Sequence, residues 1–333
     1  MSHSLQHLDH VDFIKGIAAI SVILLHTLPV NILYKSLAVY HIWQAVPIFL
    51  FITFYLGFRN FEKKGNIFKG YYSKKRIKTL FLKLWLPLLI LAILEAIFFY
   101  ATGDTNNAKS SLLCYGNGPG SYYIWCYMQI WLMMPFIYLV LKRLGILTGG
   151  GILLIISILT DYLFERYVGC RHGFACFRYI FLSVPAYMYV KGINNKIVIP
   201  LVLFSVIYLA LMLYSKIPVY ADPILPNGWE AQTSLGFFYT LFLFIALSQL
   251  YDKLKASKIK DYITHLGTIS WEVFLVQMVL LGSGVLNYAS SKLFDSVYLQ
   301  ISFRIIAAIV ITLVFAELYK RILSPVYDKI NKI

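Results

Sequence analysis

Three side chains in the stretch DHVDFIKGIAAISVILLHT, residues 9–27, could do chemistry: Asp12, Lys15 and His26. In a helix Asp12 can pair with Lys15 three residues later, and the step from Lys15 to His26 is about three turns, or about 16 Å, so all three share a face. An ammonium group attracts anions, and a histidine can serve as a general base because its pKa is near neutrality. The spacing therefore predicts one site with a cationic end and a histidine end.

Both Lys15 and His26 also have ordinary structural interpretations. Lys15 could extend its ammonium group to lipid headgroups. His26, close to Pro29, could be a packed, hydrogen-bonded side chain at a helix terminus. However, ionisable groups inside a membrane are costly, about 2.5–3.5 kcal/mol at mid-span, and usually line a cavity. Their position on one face favours the functional interpretation.

The composition of the chain is that of an integral membrane protein. Of the 333 residues, 59% are hydrophobic and 14% are charged, and the mean hydropathy is +0.71. The formal charge of +15 comes mainly from basic clusters between apolar blocks, as in cytoplasmic loops, so nucleic-acid binding is not expected. The first apolar segment lacks a basic leader and a small-residue cleavage site, which indicates a retained span rather than a signal peptide.

The apolar runs predict an all-α polytopic bundle of about ten transmembrane helices. The predicted spans are 12–30, 41–58, 77–100, 121–141, 146–164, 174–190, 197–214, 235–251, 267–288 and 297–320. Alternate loops and the C-terminal tail hold 20 Lys and Arg residues, counted with Lys78 and Lys320 at the adjoining span ends, against about six on the other side. The positive-inside rule therefore predicts that both termini are cytoplasmic.

In its first span the chain resembles the acyltransferase-3 family of membrane O-acyltransferases. That family typically has an acidic residue, then Arg-Gly, then a His that ten residues separate from the arginine. The matching residues are Asp12, Lys15, Gly16 and His26, with lysine in place of arginine. Lysine keeps the charge but lacks the planar fork that binds phosphate through two hydrogen bonds.

The resemblance continues along most of the chain in the expected order. It is carried by VPIFLFITFYLGF at 46–58, YYSKKRIKTLFLKLWLP at 71–87, SYYIWCYMQIWLMMP at 121–135 and LGTISWEVFLVQ at 266–277. In the last segment Gln277 stands where a histidine is common. The resemblance implies a single transmembrane domain over residues 10–325 that transfers an acyl group, usually acetyl, from a cytoplasmic thioester to a hydroxyl of a cell-envelope sugar.

Under this resemblance, His26 is expected to deprotonate the acceptor hydroxyl, with Lys15 and Asp12 as further catalytic residues. Acetyl-coenzyme A is the expected co-substrate, and no permanently bound cofactor or metal is expected. The phosphates of acetyl-coenzyme A need cations to bind them. Lys15 and the basic run before the third span supply these cations. The run consists of Lys69, Lys74, Lys75, Arg76 and Lys78, and the last four are expected to bind the donor with Lys15. Alternatively, this run fixes topology and contacts anionic lipid, and the two roles are compatible.

Other polar residues in the apolar segments have less specific interpretations. Glu272 and Gln277 lie in the late segment and are possible supporting residues of the site. Interhelical pairing is the simplest explanation for Glu95, Glu272, Arg304 and Glu317.

The four cysteines lie at predicted outer ends, where disulfides form, and Cys170 with Cys176 is the first candidate pair. Four reduced thiols without a role are the alternative. The spacing of CRHGFAC does not fit a zinc site well.

The predicted function is therefore a multi-pass O-acetyltransferase of the inner membrane, with a glycan or lipid-linked sugar as acceptor. The alternative is a transporter or exporter of a sugar or lipid-linked precursor, in which Lys15, His26 and the buried acids form a substrate or proton path. A scaffold without chemistry is the third possibility. The acceptor, the length of the acyl group, the side of the membrane on which the acceptor is modified and the oligomeric state are left open.

Overall fold

A computed structural model describes residues 8–331 except 65–66, 115, 117, 164–166, 168–175, 193–194 and 217–231. The regular structure in these residues is helical, as the sequence predicts. The α-helices are α1 (Asp9–Thr27), α2 (Val30–Lys35), α3 (Ala45–Lys64), α4 (Ile67–Tyr71), α5 (Lys74–Leu80), α6 (Leu86–Ala101), α7 (Thr105–Cys114), α8 (Tyr122–Leu163), α9 (Ser183–Lys191), α10 (Asn195–Lys216), α11 (Phe237–Lys253), α12 (Lys258–Thr268), α13 (Ser270–Gly282), α14 (Val285–Leu293) and α15 (Val297–Asn331). Short 3-10 segments occur at Ala38–Tyr40, Ile42–Gln44, Cys176–Leu182 and Ser234–Gly236, and a π-helical turn at Phe81–Trp85.

Seven helical segments of the described chain are long and apolar enough to cross a bilayer. They are Asp9–Thr27, Ala38–Lys63, Lys74–Ala101, Tyr122–Leu163, Asn195–Tyr214, Ser234–Lys253 and Val297–Asp328. The pair α12 and α13, bent by 75° at its junction, makes an eighth if it is counted as one broken span. With several such segments, the chain is a multi-pass helical membrane protein. Helices suit the bilayer because they satisfy their backbone hydrogen bonds internally. The total of ten spans and the cytoplasmic termini stay predictions.

Two of the predicted spans form one long element. Helix α8 covers 122–141 and 146–163 of these two spans, and its 42 residues would extend about 63 Å if straight, twice the roughly 30 Å hydrocarbon core. Gly145 interrupts it with φ 76° and ψ 173°, a conformation that glycine adopts readily. The break falls between the two predicted spans.

The predicted span 174–190 differs from a simple helix. Its first two residues lie outside the described chain, and the rest is the 3-10 segment Cys176–Leu182 followed by α9. Pro185 is in the first turn of α9, where its missing N–H costs no helical hydrogen bond.

Helix α1 is the centre of the bundle. It packs against α3 and α11 on one side and against α12, α13 and α15 on the other. Phe13, Ile14 and Val22 belong to the largest buried cluster, while Ala19 and Ile23 belong to a second cluster with α13 and α15. Apolar side chains on both sides of α1 therefore place its few polar residues between helices.

Candidate active site

The ion pair predicted on α1 is present. The Nζ atom of Lys15 lies 2.5 Å from Oδ1 of Asp12, which is 5% exposed. Neighbouring helices hold this turn in place, because Gly16 and Gly267 let α1 and α12 approach closely. A Cβ added at Gly16 would lie 2.0 Å from the carbonyl oxygen of Ile263, and one at Gly267 would lie 1.7 Å from that of Asp12. The glycine that follows Lys15 thus has a steric reason.

Lys15 opens into a cavity of about 860 Å³ between α1, α3, α5, α8, α13 and α15. We call it the basic cavity, because four cations and one carboxylate line it. The cations are Lys15, Arg76, Lys83 and Lys320, and the carboxylate is Glu272. Aromatic side chains supply much of the remaining wall, among them Tyr71, Tyr127 and Trp131. The cavity lining is therefore suited to an anion that also carries an aromatic ring.

Of the basic run expected to bind the donor, the structure brings only Arg76 to the lining of this cavity. The guanidinium of Arg76 lies over the Tyr71 ring, 4.2 Å from its centroid. Burial raises the pKa of Tyr71 well above its ordinary value, so the phenol stays neutral. Lys69, Lys74, Lys75 and Lys78 are exposed and do not line the cavity. Their expected part in donor binding stays a prediction.

Two of the lining cations, Lys83 and Lys320, are not among the site residues that the sequence predicts. Lys83 lies in the π-helical turn Phe81–Trp85, and Pro87 follows four residues later. Since Pro87 has no N–H, the carbonyl of Lys83 has no ordinary helical donor, which explains the irregular turn. For Lys83, the sequence feature that indicates a functional position is a lysine inside an apolar segment, one helical turn before a proline. Lys320 has no such feature beyond its charge.

The two possible supporting residues lie in different surroundings. Glu272, 6% exposed, lines the basic cavity, and its Oε1 accepts a hydrogen bond from Oη of Tyr327 at 3.2 Å. Gln277 is fully buried, and neither end of its amide has a hydrogen-bond partner among the described residues. The structure therefore places Glu272, but not Gln277, with the cations.

His26 lies apart from the basic cavity and lines two smaller ones. The histidine cavity, of about 90 Å³, includes His26, Phe274 and Tyr122. The arginine cavity, of about 120 Å³, includes His26, Asn287 and Arg304. The His26 side chain is exposed and makes no hydrogen bond to the described residues, so it differs from the packed, bonded histidine of the structural interpretation. Its ring is available to a ligand.

The histidine cavity and the basic cavity have a common wall. Phe49, Tyr123, Ser270 and Trp271 line both. The rings of Trp271 and Phe274 stack with centroids 5.6 Å apart, and the ring centroids of Phe274 and Tyr123 are 5.4 Å apart. A single layer of side chains therefore separates the cation-lined space from the histidine.

Pro119 and Gly120 lie in the walls of the two His26 cavities. Pro119 lines the arginine cavity and Gly120, with φ 94°, lines the histidine cavity. Gly118 contacts α13 so closely that a Cβ there would lie 1.8 Å from the carbonyl oxygen of Met278. Gly118 is therefore packed against α13.

The described residues contain no group of three or more His, Cys, Asp or Glu side chains arranged for a metal ion.

Cys126 and Cys176 are buried free thiols. Cys170, the other half of the expected disulfide, lies outside the described residues, and nothing is described of the Cys114 side chain. Arg178 is buried, and its Nε donates to the carbonyl of Gln232 at 2.9 Å, away from the cavities.

The charged residues expected to pair do so in part. A ring nitrogen of His265 contacts Oε1 of Glu317. Nη1 of Arg304 donates to Oδ1 of Asn287 at 2.9 Å. Glu95 is 1% exposed and packs beside Gly116 and Gly282.

The family model described as "Acyltransferase domain" matches residues 8–318 of the chain. The match includes α1 with Asp12, Lys15 and His26, and most of the lining of the three cavities. No curated protein and no solved structure matches the chain.

Proposed function

Because the chain belongs to the acyltransferase-3 family of membrane acyltransferases, we propose that it moves an acetyl group from acetyl-coenzyme A to a hydroxyl of a cell-envelope or surface polysaccharide sugar. One observation carries the proposal. The cation-lined basic cavity and the cavity of an unbonded histidine are separated by a single layer of side chains. An anionic thioester donor and a general base are the two components that this reaction needs.

The basic cavity is the proposed site of the donor. Phosphate groups would contact Arg76, Lys83, Lys320 and Lys15, and the adenine ring would stack on the aromatic wall. Asp12 pairs with Lys15 but does not line the cavity. The excess of four cations over one carboxylate in the lining supports an anionic ligand.

The thioester end would pass the common wall toward His26. His26 lies about 16 Å along α1 from Lys15, so the cations and the base contact opposite ends of an extended molecule. His26 accepts the hydroxyl proton as the acceptor oxygen attacks the thioester carbonyl. A new C–O bond forms, the C–S bond breaks, and the departing sulfur leaves as the thiol of coenzyme A with that proton.

The orientation follows from the distribution of charge. The basic cavity is at the end of the bundle that carries the exposed lysines of α5, and such lysine-rich ends face the cytoplasm, where coenzyme A thioesters occur. We place the protein in the inner, cytoplasmic membrane on this argument. Family membership favours an enzyme over the transporter alternative.

The function is tested with protein purified in detergent. Release of free coenzyme A from acetyl-coenzyme A is followed with and without crude envelope glycan, and the glycan is then assayed for acetyl ester. Glycan-stimulated release together with ester formation is expected. Donor binding without release or ester formation would contradict the proposed reaction.

A further inference from the structure

The arginine cavity is at the other end of the bundle from the basic cavity. Arg304 and Lys320, both on α15, line the two cavities and are 16 residues apart, which is about 24 Å along a helix. That distance approaches the thickness of the hydrocarbon core, about 30 Å. His26 is the residue that the arginine cavity shares with the histidine cavity. A ligand in the arginine cavity would therefore reach the base from the side opposite the donor.

The polar groups in the arginine cavity are mainly donors. Nη1 of Arg304 is held by Oδ1 of Asn287 at 2.9 Å, which leaves the amide N–H groups of Asn287 and the other guanidinium N–H groups for a ligand. The Thr27 hydroxyl already donates to the carbonyl of Ile23 at 2.9 Å. No carboxylate lines the cavity, and Arg304 makes no ion pair within the described part of the chain. An arginine inside the bundle without a counter-charge is well suited to an anionic ligand.

We propose that the arginine cavity is the acceptor subsite and that it selects a hydroxyl-bearing anion, with the negative charge on Arg304 and the hydroxyl against His26. The anion is either a carboxylate on the sugar or the phosphate of a lipid-linked sugar. Both present oxygens that an arginine can bind through two hydrogen bonds. This inference rests on the proposed function for the identity of the bound molecule as acceptor.

The test compares matched anionic and neutral probes. Methyl glucuronide and methyl glucoside differ in a carboxylate, and polyprenyl phosphate glucose and polyprenyl glucoside differ in a phosphate. Binding of each probe is measured by calorimetry on the purified full chain without acetyl-coenzyme A, and coenzyme A release is measured separately. The variants are Arg304→Gln and Arg304→Lys. Arg321→Gln is the control, because Arg321 is exposed on the same helix outside the cavity.

Wild type and Arg321→Gln should bind at least one anionic probe about tenfold or more tightly than its neutral partner, as expected for a charge-assisted hydrogen bond. Arg304→Gln should abolish the preference, and Arg304→Lys should restore part of it, which separates loss of charge from loss of folding. A preference within the glucuronide pair identifies a carboxylate as the bound anion, and a preference within the polyprenyl pair identifies a phosphate. Equal binding of both pairs by wild type, or a preference that survives in Arg304→Gln, would overturn the inference.

The two readouts separate this inference from the proposed function. An Arg304-dependent preference in binding, without coenzyme A release from any probe or glycan, would keep the anion site and remove the acetyl transfer. Coenzyme A release that is stimulated equally by anionic and neutral probes in wild type would keep the transfer and remove the anion selectivity.

Discussion

The guanidinium of Arg76 lies 4.2 Å from the centroid of the Tyr71 ring, and both side chains line the basic cavity. Tyr71 is 1% exposed and stacks on Trp131 with ring centroids 5.2 Å apart. A buried, neutral ring therefore holds one cation of a mostly exposed basic helix at the cavity. Lys75, its neighbour, is exposed and lies outside the lining.

Replacing Arg76 by alanine should raise the KM for acetyl-coenzyme A about tenfold, because a charge-assisted phosphate contact contributes about 1.5–3 kcal/mol. Lys75→Ala should raise it less than twofold. Steady-state kinetics on detergent-purified protein measures both. Equal effects of the two substitutions would show that the run acts through its overall charge and not through the cavity.

Lys320→Ala should also raise the donor KM several-fold, although Lys320 is far in sequence from the basic run. The reason is that Lys320 lines the same cavity, whereas the adjacent Arg321 is exposed outside it. Arg321→Ala is the matched control and should leave the KM unchanged. An unchanged KM in Lys320→Ala would remove α15 from the donor site.

Gly16→Ala and Gly267→Ala should each lower the thermal stability of the protein and its activity. Each added methyl group would meet a backbone carbonyl, which cannot move aside as a flexible side chain can, and overpacking costs about 1–3 kcal/mol or more. Gly151→Ala in α8 is the control, since a Cβ there meets nothing within 4 Å. Thermal unfolding in detergent measures the effect. A Gly16→Ala protein as stable as wild type would show that α1 and α12 are less closely packed.

Hydropathy predicted most of the helical segments because apolar length is a direct requirement of the bilayer. It did not predict helix α12, which lies almost entirely in the predicted loop before span 267–288, or the bend of 75° between α12 and α13. The bend falls at Ile269, with φ −110° and ψ 16°, beside Gly267, which packs on α1. A contact between distant segments sets this break, and a local pattern of residues does not record it.

The site was predicted in part for a similar reason. Asp12 and Lys15 are close in sequence, so helical spacing alone indicated their pairing. Lys83 reaches the cavity from the turn before α6, and Lys320 reaches it from α15. Only the packing of these two elements brings the two lysines together. The separation of His26 from Lys15 was expected from helix geometry, but the layer of aromatic rings between their cavities was not.

Cys176 should resist alkylation in the folded protein. Its side chain is 0% exposed, so a maleimide cannot reach the sulfur while the protein is folded. Site-resolved mass spectrometry after maleimide treatment should find Cys176 unmodified in native protein and modified after denaturation without reductant. Modification only after reduction would instead support the expected disulfide with Cys170.

The central claim is that His26 is the base of an acetyl transfer, and transfer of labelled acetyl from acetyl-coenzyme A to envelope glycan tests it most directly. Wild type is compared with His26→Ala and with His41→Ala, an exposed histidine that contacts the carbonyl of Ser36 at 2.8 Å, at matched thermal stability. We predict that His26→Ala lowers the rate about 100-fold or more while His41→Ala stays close to wild type. A His26→Ala protein that transfers acetyl at half the wild-type rate or faster would contradict the account.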